Sequence, residues 1–273
     1  MKKQNTLVSI LIINYNNEKL ISRAINSCLA QNYNNIEILI YDDKSTDNFI
    51  YRIKKFLKNK KIHFFVNKGK KKKVASFDAM NGYLNLFKKS KGSIICLLDS
   101  DDFYHRNKIK TIVQYFRKNC DKEFLQNLPI IRLKNKLLYK KNKNNFLSFW
   151  PYLAPESCIS FKRNFMNSFI KTNKSLCNKH NLLWLGFRLG VYAYFFRKSF
   201  GSIDKHLTYY ESLGQSKFFL FMNASWFIRR KQSFDYLSQI LRKKKYFSKN
   251  LDYIITKFIC KILKIYHEKK NFI

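Results

Sequence analysis

The chain has 273 residues, 46% apolar and 17% aromatic, enough for one large domain with an addition or for two small ones. It carries 54 Lys and Arg against 17 Asp and Glu, a formal net charge of +37. Such an excess favours anionic partners (nucleic acid, acidic membrane, phosphorylated small molecules) without choosing among them. No apolar run reaches the ~18 residues of a membrane span. The six cysteines form no C-x-x-C pair, so zinc is not indicated, and a reducing, cytoplasmic setting fits their use as small apolar residues.

In chain order, Lys2 and Lys3 precede an apolar stretch at residues 7–13 that mimics a signal peptide. Asn-rich sequence follows it, with no small-residue cleavage site, so it reads as a central parallel strand. Asn14-Tyr15-Asn16-Asn17 breaks that strand. A helix is expected from Glu18, with Leu20, Ile21, Ala24, Ile25, Cys28 and Leu29 on one face. Residues 36–41 form a second strand ending in Asp42-Asp43. Ser45, Thr46 or Asp47 is then expected to cap the next helix, which carries Ile50, Ile53 and Leu57 at helical spacing. A third strand at 62–66, a basic loop at 68–73 and a helix at 74–89 lead to Ile94-Ile95-Cys96-Leu97-Leu98. That run stops in Asp99-Ser100-Asp101-Asp102, and a further helix is expected at 106–118.

An unpaired carboxylate inside a buried strand costs too much. The acids therefore project from the strand's C-terminal end, where clustered oxygens suit Mg²⁺ or Mn²⁺ beside a substrate diphosphate. The plainer alternative is a helix N-cap with extra acids. Strands alternating with helices imply parallel β-α-β units, so the loops after all three strands fall on one edge of the sheet.

Residues 121–149 are Lys/Asn-rich and are expected as exposed strands or loop. A short strand follows at 157–161, then an apolar, aromatic run at 182–196, interrupted by Arg188 and expected as a helix under the site, then a closing segment at 203–210. The texture changes near residue 216. The last helix places Ile255, Phe258, Ile259, Ile262 and Tyr266 on one face and Lys257, Lys261 and Lys264 on another. A basic amphipathic helix of this kind reads either as a membrane-surface element or as a helix docked on the protein's own core.

Val8-Ser9-Ile10, Asn14-Tyr15-Asn16, Asp42-Asp43-x-Ser45-Thr46-Asp47 and Leu98-Asp99-Ser100-Asp101-Asp102, in this order, resemble family-2 glycosyltransferases of the GT-A fold. The resemblance is close over residues 7–119 and looser through Leu207-Thr208-Tyr209-Tyr210. It implies an α/β fold with a mostly parallel central sheet flanked by helices, in a domain over 1–215. The donor half would be 1–120 and the acceptor half 121–215, with a basic helical extension at 216–273. It also implies inverting, metal-assisted transfer from a nucleotide-diphosphate sugar to a glycan or lipid-linked acceptor hydroxyl, as in cell-surface polysaccharide or glycolipid synthesis. By resemblance, Tyr15 flanks the donor base and Asp43 hydrogen-bonds it. Asp101 contacts ribose or metal, Asp102 ligates Mn²⁺ or Mg²⁺, and Asp99 shares that duty.

Lys72 or Lys73 could touch the diphosphate, or the lysine run is simply a solvated loop. The family's catalytic base is missing, because residues 181–188 read Asn-Leu-Leu-Trp-Leu-Gly-Phe-Arg. Glu156, Asp204 and Glu211 are the carboxylates left as candidates, with His180 and His206 as further titratable groups. The missing base motivates a second reading, a non-catalytic donor-binding or scaffold protein. Nucleic-acid binding is a third reading, disfavoured because the aromatics read as buried. The expected location is cytoplasmic, at the inner face of the membrane.

Overall fold

A computed structural model describes residues 6–71, 74–133, 136–141, 149–173, 179–211, 224–242, 247 and 249–270. The first half alternates strand and helix: β1 (Val8–Asn14), α1 (Ile21–Leu29), β2 (Ile36–Asp42), α2 (Phe49–Ile53), β3 (Ile62–Val66), α3 (Ala75–Lys89) and β4 (Ile94–Asp99). Then come β5 (Phe103–Tyr104), α4 (Lys108–Lys118), β6 (Phe124–Leu133), β7 (Lys136–Tyr139) and a 3₁₀ turn (Glu156–Cys158). The chain continues as β8 (Ile159–Lys162), α5 (Arg163–Asn173), α6 (Leu185–Val191), a π-helical turn (Tyr192–Arg197), β9 (Phe200–Glu211), α7 (Ala224–Ile240) and α8 (Leu251–Lys270).

The strands form one sheet in the order β3-β2-β1-β4-β8-β6-β9-β5, with β7 paired to β6. From β3 to β4 every pairing is parallel. Beyond β4 the sheet is mixed: β8 runs antiparallel to both its neighbours, while β9 is parallel to β6. The C-terminal ends of β1, β2, β4, β6 and β9 therefore share one edge.

Period-two alternation explains the layering. Ile10, Ile12, Ile38, Ile40, Cys96 and Leu98 face a core closed by α1, α2 and α4. Leu11, Leu39, Ile95 and Leu97 face the other core, which gathers residues of α3, α5, α6 and α7. Both faces are covered, so the strands read as continuous apolar runs. Gly92 is required where β4 begins, since a Cβ there would lie 2.5 Å from the Ser9 backbone nitrogen. Its N–H and that of Lys91 donate to the buried Glu37 carboxylate, which also accepts from Ser9 Oγ at 2.6 Å. That network makes an acid tolerable inside β2.

Several expected boundaries move. α1 starts at Ile21, not Glu18, because the Asn17 carbonyl accepts from Leu20 N and Ile21 N in a turn. Asn48, not Ser45, Thr46 or Asp47, occupies the N-cap position of α2. Ser45 is spent on Asp42 instead, while Asp47 accepts both from Glu18 N and, at 3.4 Å, from Phe49 N at the start of α2, so of the three candidates it alone bonds the helix end. Residues 121–149, expected as exposed strands or loop, hold the exposed strand β7, but the largest correction also falls here. They contain β6, a buried strand between β8 and β9. Arg188, the one charge in the apolar run at 182–196, lies inside the helix. It is fully buried in α6, where its guanidinium donates to the Leu183 and His180 carbonyls. No helix among the described residues is long and apolar enough to cross a membrane.

Candidate active site

The sheet register sets the site. Asn14 lies opposite Asp42, and Ile13 lies opposite Asp99, so three strand ends are level. The Asn-rich break after β1 joins them. Asn14 Nδ2 donates to Asp42 Oδ1 at 3.0 Å, and Asn16 Oδ1 accepts from Thr46 N at 2.8 Å. Asn17 Nδ2 reaches Ser100 Oγ at 2.8 Å, in the acidic loop after β4. Asn16 holds a left-handed φ of 52°, which asparagine accepts more readily than most residues. Asp42 is nearly fully buried and is consumed by Asn14 and Ser45, a structural acid.

Tyr15 and Asp43 do come together, bridged by a residue the sequence reading passed over. Tyr15 is 51% exposed on the rim. The Lys71 ammonium sits 3.2 Å from its ring centroid and 3.0 Å from Asp43 Oδ2. Asn67 Nδ2 donates to Asp43 Oδ1 at 2.6 Å. An exposed ring beside a carboxylate held by directed donors offers one face for stacking and one acceptor for hydrogen bonding. Lys72 and Lys73 lie outside the described residues.

Asp99, Asp101 and Asp102 place carboxylate oxygens within 4.8 Å of one another. Asp99 Oδ1 accepts from Tyr83 OH at 2.7 Å, and its backbone N–H donates to Ser157 Oγ at 2.9 Å. Burial, then the Asp101 charge, pushes the Asp99 carboxyl up to about 7. Asp101 is also raised, by burial first, with Arg23 opposing the shift. Asp102 rises well above the usual carboxylate range through burial and its two neighbouring acids. Its Oδ1 accepts from Glu211 N at 2.8 Å, while its buried Oδ2 has no hydrogen-bond partner. Three mutually repelling carboxyls around an unpartnered buried oxygen fit a divalent cation, which would relieve both costs.

The three candidate bases separate clearly. Glu211 ends β9 on the rim, but its carboxylate is 2.6 Å from Arg23 and 3.8 Å from Arg132. Arg23 also donates to the Asp101 carbonyl at 2.7 Å and lies over the Phe103 ring, so it clamps the acidic loop to β9. Asp204 is exposed in β9, roughly 20 Å along the strand from Glu211. Glu156 is buried and accepts from Gly186 N at 2.7 Å, at the start of α6. Burial, then the Asp99 charge, pushes its carboxyl up to about 8. His206 is occupied elsewhere, its Nε2 2.9 Å from the Lys140 carbonyl.

Lys108 is a second residue that the reading missed. It is fully buried at the start of α4, and its ammonium donates to the Ser157 carbonyl and, at 2.8 Å, to Thr208 Oγ1. It ties the 3₁₀ turn to β9 beneath the acids. One signal was available, since Lys108 falls on the same helix face as Ile109, Ile112, Val113 and Phe116.

The model of the family described as "Glycosyl transferase family 2" matches residues 9–203. The Escherichia coli protein WfgD, a UDP-Glc:alpha-D-GlcNAc-diphosphoundecaprenol beta-1,3-glucosyltransferase, is 36% identical over 113 residues, 41% of this chain and 42% of that one. The chain thus spans about two fifths of the length of curated relatives it matches. Among solved structures, Staphylococcus aureus TarS (residues 1–349) in complex with UDP aligns with a TM-score of 0.60 at 15% identity, over 89% of this chain and 72% of that one. The mannosyltransferase PcManGT from Pyrobaculum calidifontis, in complex with GDP-Man and Mn²⁺, aligns at 0.54 and 11% identity, over 92% and 73%. These two likenesses concern the fold. With more than half of the sequence inside the family model, the chain belongs to glycosyltransferase family 2, built on the GT-A fold its strand-end motifs had implied.

Proposed function

We propose that this chain transfers a sugar, with inversion, from a nucleotide-diphosphate donor to an acceptor hydroxyl in cell-surface glycan or glycolipid synthesis. The observation that carries the reading is the unpartnered Asp102 Oδ2 inside the three-acid cluster, on the same sheet edge as Tyr15 and Asp43. Tyr15 stacks on the donor base, and Asp43, oriented by Asn67 and Lys71, accepts a hydrogen bond from it. Asp101 and Asp102 hold Mn²⁺ or Mg²⁺, with Asp99 locked by Tyr83 and Ser157 behind them. When bound, the ion supplies Lewis-acid stabilisation of charge on the departing diphosphate.

Glu156 is the base in this reading. It follows Pro155 into the turn whose next residue, Ser157, contacts Asp99 N, it feels the Asp99 charge, and no arginine among the described residues is ion-paired with it. The acceptor hydroxyl attacks the anomeric carbon and loses its proton to Glu156 as the carbon–diphosphate bond breaks. The WfgD name specifies a diphosphoundecaprenol-linked acceptor. A lipid-linked acceptor hydroxyl is the class proposed here.

The test is a thermal-shift and calorimetric screen of UDP, GDP, ADP and CMP with and without Mn²⁺. A diphosphate that binds only with the ion, and no longer binds to Asp102→Ala, is the expected result. Ion-independent binding unaffected by that substitution would overturn the metal assignment. Binding without transfer across a broad donor and acceptor panel would favour a non-catalytic donor-binding protein.

A further inference from the structure

α8 has two unlike sides. Inward, Asp252 is ion-paired with Arg230 of α7, Thr256 is buried, and the Tyr253 ring packs 5.4 Å from Phe234 and 5.9 Å from Phe247. These contacts fix which way the helix faces. Outward, Leu251, Ile254, Ile255, Phe258 and Ile262 recur at three- and four-residue spacing as one stripe. All five are exposed, Leu251 at 70% and Phe258 at 63%. The exposed Lys257 and Lys261 run along one edge of that stripe. A soluble surface seldom leaves so many large apolar side chains in one row without a partner.

Charge decides the occupant. A second copy of this chain would bring another +37 against the first. Nucleic acid would match the lysines but offers no apolar layer to five aliphatic and aromatic side chains. An anionic lipid leaflet satisfies both features, because lysines gain near its surface and apolar side chains enter the acyl boundary. We propose that α8 is an in-plane docking helix for an anionic membrane surface, seated by its Leu251-to-Ile262 stripe and steered by Lys257 and Lys261. This goes beyond the catalytic reading and does not depend on it.

Full-length protein is co-sedimented with vesicles of phosphatidylglycerol and phosphatidylcholine, and with phosphatidylcholine alone. Wild type is expected to bind the anionic vesicles and to bind the neutral ones far more weakly. The charge-neutral double variant Ile255→Ser/Phe258→Ser is expected to lose on the order of tenfold or more in partitioning. Lys257→Gln/Lys261→Gln is expected to bind several-fold more weakly at low salt, with the gap closing as salt rises. The substituted side chains face solvent, so both variants keep the inward contacts of α8. Serine substitutions that leave anionic-vesicle binding unchanged would overturn the proposal. So would sedimentation analysis showing a wild-type dimer that those serines dissolve.

Discussion

The two halves of the sheet use polar residues in opposite ways. In the parallel half, from β3 to β4, apart from the buried Ser9–Glu37 pair, the polar groups collect at the C-terminal strand ends and bond to one another across loops: Asn14 to Asp42, Asn16 to Thr46, Asn67 to Asp43. In the mixed half they are buried and hold elements together, as Lys108 of α4 does with Thr208 of β9 and Ser157 of the 3₁₀ turn, and Asn127 of β6 with Thr208. The contrast shows a division of labour. The first half presents groups to a donor. The second half sets those groups from behind, through Ser157 on Asp99 and the Glu211 N–H on Asp102.

The sharpest way to break this division is at Asp102, where both halves meet. Asp102→Asn should lower turnover by on the order of 10³-fold, since charge stabilisation at the leaving group is among the largest catalytic terms. Its stability should move the other way. Burial pushes the Asp99 carboxyl up to about 7 in the folded chain, against 3.8 as its ordinary value, and Asp102 is also raised well above the usual carboxylate range. The folded state therefore binds protons that the unfolded chain has already released, and stability falls as pH rises from about 4 through about 7. Melting curves without divalent ions should show that fall in wild type and a smaller one in Asp102→Asn. A melting temperature that rises across this window would contradict the burial of the acids.

Glu156→Gln probes the second half alone. The amide oxygen can still accept from Gly186 N, so the turn should hold, while kcat falls about 10²-fold or more with diphosphate affinity unchanged. Because the Glu156 carboxyl sits at about 8, the wild-type rate should climb with pH through that value, and the variant should lose the climb. An unaltered pH–rate profile would remove Glu156 from the chemistry.

Lys108→Met should cost about 1–3 kcal/mol of stability, the range for stranding buried acceptors, with only a few-fold effect on turnover. The lysine is held down to about 8 by burial, against an ordinary 10.5. Between these values the unfolded chain binds the extra proton, so raising pH favours the folded state. The gap in melting temperature between wild type and Lys108→Met should widen from pH 8 to pH 10. A constant gap would mean that the ammonium is not desolvated as the structure implies.

The same contrast governs what the sequence made legible. β1, β2 and β4 are apolar on both faces apart from the mutually bonded Ser9 and Glu37, and the acids that end β2 and β4 cannot be buried unpaired, so strands, edge and acid cluster followed from pattern. β6 was hidden because Gln126, Asn127 and Pro129 read as loop residues. Gln126 instead bonds the Tyr152 carbonyl and Ala154 N, and Pro129 stands at a register shift against β9, where a missing N–H is tolerated. Arg23 and Lys71 were invisible for a different reason, and Lys108 was marked only by its place on an apolar helix face. Among 54 basic residues, none stands out by type, and only the fold shows which three are drawn onto carboxylates, rings or buried carbonyls.

Asp204 supplies the smallest expected effect and the cleanest control on the comparison. It shares β9 with Glu211, and as a spare carboxylate in a chain poor in acids it was as good a candidate base as Glu156. The strand separates them: Asp204 is exposed far below the edge, while Glu211 is at the edge and engaged by Arg23. An exposed carboxylate with no role in the fold contributes within about ±0.5 kcal/mol. Asp204→Asn should therefore leave both melting temperature and kcat/KM within error of wild type, measured beside Glu156→Gln. A tenfold loss of kcat/KM at Asp204 would mean that catalysis draws on the outer stretch of β9, and the edge formed by the strand ends would no longer define the site.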